Sequence, residues 1–352
     1  MRHSRHCRAF FDLGAGEGVQ ERWLTWLTQR AGAGNVLLPC DDDSLELLAR
    51  NRERLVSLGY RPIEANDEVV LALLDKNETY ARARRLGVPT PSTALLRPED
   101  DVATVAESMA FPLALKPRHS HLFQRHFGLA RKVFLAENRI ELARYAERMG
   151  DLGLEMLVTE VIPGADDAYH SYYTYVDEEG KPLFDLTKHK LRQYPVGFGL
   201  ATYHVIDRNE ATIELGVRFV RGMGVRGIAC VEFKRDARDG QLKLIECNHR
   251  FTAGYEIVRH AGIDVALLAY SRAAGRPDPP LGSYRTGVSM WHPVEDMRAF
   301  ASYRRSGELT LGGWLRSIAR RQHFPMFSWR DPKPSLASIS RFPMQFVRRL
   351  RG

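Results

Sequence analysis

The chain has 352 residues, 44% of them hydrophobic, which is enough for two or three packed units with their own cores. No apolar run approaches the roughly 18 residues that span a bilayer, and the basic start "MRHSRHCRAFFDL" lacks the apolar stretch and small-residue site of a secretory leader. A net charge of +8 favours anionic partners, yet no zinc-finger, RNP-like or helix-turn-helix signature points to nucleic acid.

In chain order, "NVLLPC" reads as a buried strand, and "DDDSLELLARNRERLVSLG" as a helix with acids at its start and Gly59 past its end. "CRAFFDL" is the first strand candidate. "LLDKNETYARARRLGVPTP" reads as a short helix stopped by Gly87, with Pro89 and Pro91 marking a linker. Residues 1–90 therefore form a βα unit.

A strand "TALLR", a helix from Pro98 to Met109 and a strand "PLALKP" come next. After a long loop come a strand "ARKVFLA", a helix from Glu137 to Met149 and a strand "LEMLVTEVI". This β-α-β-β-α-β order makes residues 91–162 a compact α+β unit. Strands dominate from Tyr169 to His204, then the helix "NEATIELGVRFVRGMG" and a hairpin, giving a larger unit over 163–290. Residues 291–352 are a helical and irregular extension rich in arginine. The cysteines Cys7, Cys40, Cys230 and Cys247 are scattered, with no C-x-x-C pair, which suits a reducing cytoplasmic compartment.

The hairpin "RGIACVEFKRDARDGQLKLIECNHR" turns at Asp239-Gly240. Alternation places Ile228, Cys230 and Glu232 on one face of the first strand. On the second it places Leu242, Leu244, Glu246, Asn248 and Arg250 together. Centring the hairpin near residue 239 sets Glu232 opposite Glu246 and Lys234 opposite Leu244. Facing carboxylates repel unless a cation sits between them, and Glu, Glu and an Asn carbonyl form an all-oxygen set suited to Mg²⁺ or Mn²⁺. The plainer alternative is an exposed face whose acids pair with Lys234 or Lys243.

Two other stretches gather cations. In "FPLALKPRHSHLFQRHFGLARKVFLA" a buried strand ends in Lys116, a cationic loop follows, and Lys132 opens the next strand, an arrangement suited to a triphosphate. "TKHKLRQYPVGFG" joins Lys188, Lys190 and Arg192 to a glycine loop; these would hold a carboxylate substrate or a transferred phosphoryl group, or else form a solvated turn. At the C-terminus, "SISRFPMQFVRRLRG" mixes Phe342, Met344, Phe346 and Val347 with Arg341, Arg348, Arg349 and Arg351. That suits peripheral contact with an acidic membrane, or a helix docked on the protein's own core.

The strand ending "VEF" followed by "LIECNHRF" resembles the metal-binding hairpin of ATP-grasp enzymes, written E…E-x-N-x-R. The resemblance runs in order over roughly residues 70–265 and is nearest the carboxylate–amine ligase branch, which includes D-aspartate ligases and carbamoyl-phosphate-synthase-like proteins. It implies an α+β ATP-grasp fold of two subdomains clamping ATP, here behind an abbreviated N-terminal domain or one whose start lies upstream. By the same resemblance Glu232, Glu246 and Asn248 hold the metal, Lys116 contacts the α- and β-phosphates, and Lys76 is a second phosphate-directed lysine. Lys76 also reads as an ordinary residue at a helix N-terminus. Glu160 would accept from the adenine amine, the backbone of Val161 and Ile162 would read the ring edge, and Asp167, or equally Asp166, would hold the ribose. The family's glycine-rich lid is replaced by a loop with Gly128 and the bulky His119, His121, Arg125, His126 and Phe127.

The implied chemistry is Mg²⁺-dependent phosphoryl transfer from ATP to a small carboxylic acid, with Arg250, together with Arg192 or Lys190, stabilising the transferred group. An amine then displaces phosphate from the acyl phosphate, leaving ADP and an amide. The alternatives are a bicarbonate-using carboxylase or carbamoyl-phosphate-like ligase, a catalytically idle ATP-binding protein, and a basic surface-binding protein.

Overall fold

The computed structural model describes residues 2–30, 32–97, 102–107, 109–119, 133–325 and 327–340. The first unit holds α1 (Val19–Thr28), β1 (Val36–Leu37), α2 (Asp42–Ser57) and β2 (Arg61–Pro62), with β1 and β2 parallel. Asp41 and Ser44 form a reciprocal capping box that starts α2. The segment "CRAFFDL" is not a strand. Its Phe11 packs on Trp26 of α1, with ring centroids 4.9 Å apart and Arg30 over both rings.

The helix expected around Lys76 is the second of two, α3 (Asp67–Leu74) and α4 (Lys76–Arg85). Asp75 breaks the pair: it ends α3 in an extended conformation and its side chain caps Asn77 and Glu78 of α4. The next unit comprises β3 (Thr93–Leu96), α5 (Val102–Glu107), β4 (Leu113–Pro117), β5 (Phe134–Ala136), α6 (Arg139–Gly150) and β6 (Met156–Glu160). Its four strands form an antiparallel sheet in the order β3-β6-β4-β5, over a core that includes Leu113, Leu115, Leu142 and Val158.

The larger sheet is built from β7 (Tyr169–Val176), β8 (Leu186–Tyr194) and β9 (Leu200–Asp207). Helix α7 (Glu210–Met223), strands β10 (Gly227–Arg235) and β11 (Leu242–Asn248), and helices α8 (Tyr255–Ala261) and α9 (Val265–Ala273) follow. A strand absent from the sequence reading, β12 (Ser289–Trp291), pairs with β9 at the edge, and the chain continues as α10 (Pro293–Arg305), α11 (Leu311–Ile318) and α12 (Lys333–Ser340). The strand order is β11-β10-β7-β8-β9-β12, antiparallel throughout.

Helix α7 lies so close on this sheet that a Cβ on Gly216 would meet the Tyr172 side chain at 2.4 Å. That close approach needs glycine. The opposite face packs on α8 and α9 through Ile228, Cys230, Ile257 and Leu268. Among the described residues no helix is long and apolar enough to cross a membrane.

Candidate active site

A cleft opens between the four-stranded and six-stranded sheets, with about 1220 Å³ of space counted out to its mouth. The hairpin β10–β11 forms one wall. Glu232 and Glu246 are direct cross-strand partners, as parity required. Beyond them the ladder skips Ile245, so Phe233 faces Leu244 and Lys234 faces Lys243, not the expected Leu244.

This β-bulge corrects the reading of the face. Leu242 and Leu244 join Val231 and Phe233 in the core on the other side of the sheet, whereas Ile245, Glu246 and Asn248 turn to the cleft. The amide of Asn248 donates to Glu246 Oε1 at 2.9 Å, and Lys190 Nζ stands 3.5 Å from Glu232 Oε2. Two carboxylates and an amide at the lip of a polar cleft make a hard, all-oxygen donor set, and it fits a divalent cation such as Mg²⁺.

Lysines supply the facing charge. Lys116 at the end of β4 and Lys76 at the start of α4 both line the cleft. A salt-bridged hinge brings them together: Arg118 binds Asp75 at 2.7 Å and Glu155 at 2.7 Å, and its carbonyl accepts from the Lys76 amide. Burial pushes the Lys116 ammonium down, to about 8, and the charge of Lys76 adds to the effect. Lys190 sits 4.0 Å over the Tyr169 ring, and its Nζ donates to Gln193. Lys234, which the sequence suggested only as a partner for nearby acids, stacks on the same ring at 5.0 Å and donates to the Ile162 carbonyl at 2.8 Å. Burial depresses its pKa as well.

Several expected residues stand elsewhere. Arg192 is not among the residues lining the cleft. The β8–β9 ladder shifts register between Lys190 and Arg192, and this slip turns Arg192 to the other face of the sheet. There it forms a buried bidentate pair with Asp296, both contacts at 2.8 Å, and stacks on Tyr203. It is a structural residue, not a phosphoryl stabiliser.

Glu160 does line the cleft, but its carboxylate already accepts from the Ser92 amide at 2.9 Å and from Arg238 at 3.0 Å, with Lys243 at 3.6 Å. Glu160 thus reaches the cleft already held by an amide and two cations. Val161 and Ile162 are at the cleft wall as expected. Neither Asp166 nor Asp167 is in the cleft lining. Asp166 is buried and accepts from Gln193 at 2.6 Å and from the Gly197 amide, while Asp167 is exposed and meets His189 through its backbone carbonyl. Lys132, His121, Arg125, His126, Phe127 and Gly128, and the tail from Arg341, lie outside the described residues.

Arg250 lines the cleft beside Asn248, and its Nε is held by Asp42 at the start of α2. Nothing in the sequence marked Asp42, because the two residues are 208 positions apart.

A small antiparallel sheet closing over a larger one, with an acidic hairpin facing paired lysines, is the arrangement of ATP-grasp proteins. The comparisons agree. No family model matches the chain. It is 28% identical over 285 residues to the D-aspartate ligase of Enterococcus faecium (strain Aus0004), covering 78% of this chain and 67% of that protein. It is 29% identical over 186 residues to the D-alanine–D-alanine ligase of Stutzerimonas stutzeri (strain A1501), covering 50% of this chain and 54% of that one. An ADP complex of N5-carboxyaminoimidazole ribonucleotide synthetase superposes with a TM-score of 0.60 at 11% identity, over 76% of this chain and 66% of that chain. The chain has an ATP-grasp fold, and its sequence is similar to carboxylate–amine ligases of that superfamily.

Proposed function

We propose that the protein is an ATP-dependent, ADP-forming ligase that joins a small carboxylic acid to an amine. The observation that carries this reading is the pairing of Glu232 with Glu246 across a bulged ladder, at a cleft whose opposite side presents Lys76 and Lys116. In this reading residues 91–162 cover the nucleotide, residues 163–290 carry the catalytic wall, and the βα unit of residues 1–90 backs them through Asp42. Residues 291–352 are then an extension outside the clamp. The backbone of Val161 and Ile162 reads the adenine edge. Lys76 and Lys116 hold the phosphates. Neither Asp166 nor Asp167 lines the cleft, so the ribose is left to other groups in this reading.

Glu232, Glu246 and Asn248 would hold Mg²⁺, which supplies charge neutralisation at the transferring phosphoryl group. An oxygen of the acid attacks the γ-phosphorus, the bond to the β-phosphate oxygen breaks, and ADP leaves. Arg250 and Lys190 steady the equatorial oxygens. The amine nitrogen then attacks the acyl carbon and loses a proton, and inorganic phosphate departs with the acid's former oxygen. Positioning and electrostatics carry the rate, with no covalent protein nucleophile. The chain's free buried thiols, Cys230 and Cys247, fit a reducing, cytoplasmic setting.

The relatives' names direct a substrate search to amino acids. Amino acids and short peptides, offered pairwise as acid and amine with Mg²⁺ and ATP, should yield one combination that releases ADP and phosphate together. Release of AMP and pyrophosphate, or nucleotide binding with no acid-dependent turnover in any combination, would defeat the reading.

A further inference from the structure

The C-terminal helices leave an apolar ridge that no other part of the described chain covers. Leu311, Trp314, Leu315 and Ile318 fall on one face of α11 at helical spacing. Only one edge of that face docks the helix. Trp314 stacks on Phe300, with ring centroids 4.9 Å apart, and donates to Asp296, while the neighbouring Ser317 carbonyl accepts from Tyr203 at 2.6 Å. The other edge faces outward, with Leu311 48% and Leu315 49% exposed.

The exposure continues on both sides. Met297 on α10 is 51% exposed, and Trp329 is 87% exposed at the end of an aromatic run Trp291–Phe324–Phe327–Trp329. Exposed apolar side chains gathered in one C-terminal segment mark a contact surface, unlike apolar residues scattered singly.

Charge identifies the occupant. Between residues 297 and 333 the sequence carries eight Arg or Lys against two acids, Glu308 and Asp331. Arg304, Arg305, Arg316, Arg320, Arg321 and Arg330 are all exposed. Asp331 is turned inward and accepts from Ser4 and from the Arg5 amide, so it does not offset the field outside. Nucleic acid would satisfy the arginines and leave Leu311, Leu315 and Met297 in water. A lipid surface takes both, the apolar side chains entering among the acyl chains and the guanidiniums meeting the headgroups.

We propose that this ridge seats the protein peripherally on an anionic lipid surface. The site lies beside β9 and β12, at the far edge of the sheet from β10 and β11, roughly 20 Å away by strand spacing. None of the ridge residues lines the cleft, and the inference stands independently of the ligase reading.

The test is sedimentation of the full chain with vesicles of phosphatidylcholine alone and with a third of phosphatidylglycerol added. Binding is expected only with the anionic vesicles, weakening as salt rises. Arg316→Glu/Arg320→Glu/Arg321→Glu should lower partitioning at least about 100-fold, and Leu311→Ser/Leu315→Ser/Trp329→Ser at least about 10-fold. Melting curves would show that both variants remain folded, and truncation after residue 340 would separate the ridge from the tail. Equal binding to both vesicles, no binding at all, or binding that only the truncation abolishes would overturn the proposal. So would RNA binding that the apolar variant retains in full, or a lipid-independent dimer that this variant dissolves.

Discussion

Replacing Glu246 by Gln separates the charge of the hairpin from its shape. Glu232 and Glu246 are direct cross-strand partners. Their carboxylates should therefore lie about 5 Å apart when extended to the same side. Coulomb's law puts the repulsion between about 1 kcal/mol in water-like surroundings and about 3 kcal/mol at a protein surface. Glu246 is exposed and Lys190 stands 3.5 Å from Glu232, so the lower figure applies.

Without divalent cation, Glu246→Gln should melt about 2 °C above the natural protein. With Mg²⁺ and nucleotide at ~100 times their dissociation constant, the natural protein gains about 2.7 kcal/mol, and the variant, short of one ligand, gains little. The order of the two melting temperatures then reverses. Turnover in the variant should fall at least ~100-fold. Calorimetry with chelator and then with Mg²⁺–nucleotide reads both effects. Parallel melts under the two conditions, or normal turnover at ordinary Mg²⁺, would refute the metal assignment.

Arg192→Met should leave the fully buried Asp296 without its cation and cost about 3 kcal/mol or more, while the Michaelis constant for ATP in the folded protein stays unchanged. A variant that melts normally and loses only turnover would return Arg192 to the catalytic set. Lys116, held near 8, should lose its charge as pH rises through that value, so kcat/KM for ATP falls above about pH 8 and the fall disappears in Lys116→Arg. Between 8 and its ordinary 10.5 the unfolded chain binds the extra proton, so this residue makes the ligand-free fold more stable as pH rises across that interval. A flat pH profile for the natural protein would show that Lys116 does not meet the nucleotide.

The parts legible in the sequence were those set by local rules. Parity and a turn signal were enough to face Glu232 with Glu246. A strand ending in Lys116 located one of the facing charges, whereas Lys76 was marked only by the resemblance to ATP-grasp enzymes. Parity failed wherever the ladders slipped, because alternation along a strand carries no sign of a bulge. The skip at Ile245 sent Leu242 and Leu244 to the opposite core, and the shift after Lys190 carried Arg192 from the cleft to Asp296. Contacts between distant segments were equally silent. Asp42 reaches Arg250 across 208 positions, and Glu160 is claimed by Arg238, which sits in a turn 78 positions on. Three-residue β12 is too short for any period to register.

The central claim is that the γ-phosphoryl group passes to a carboxylate oxygen in this cleft. It is tested most directly by supplying the active acid with oxygen-18 in its carboxylate, together with ATP, Mg²⁺ and the amine, and weighing the inorganic phosphate released. Transfer through an acyl phosphate predicts one labelled oxygen in each phosphate, with none in the nucleotide, and loss of the signal in Arg250→Ala along with ADP formation. Unlabelled phosphate, or the label found in AMP, would contradict it.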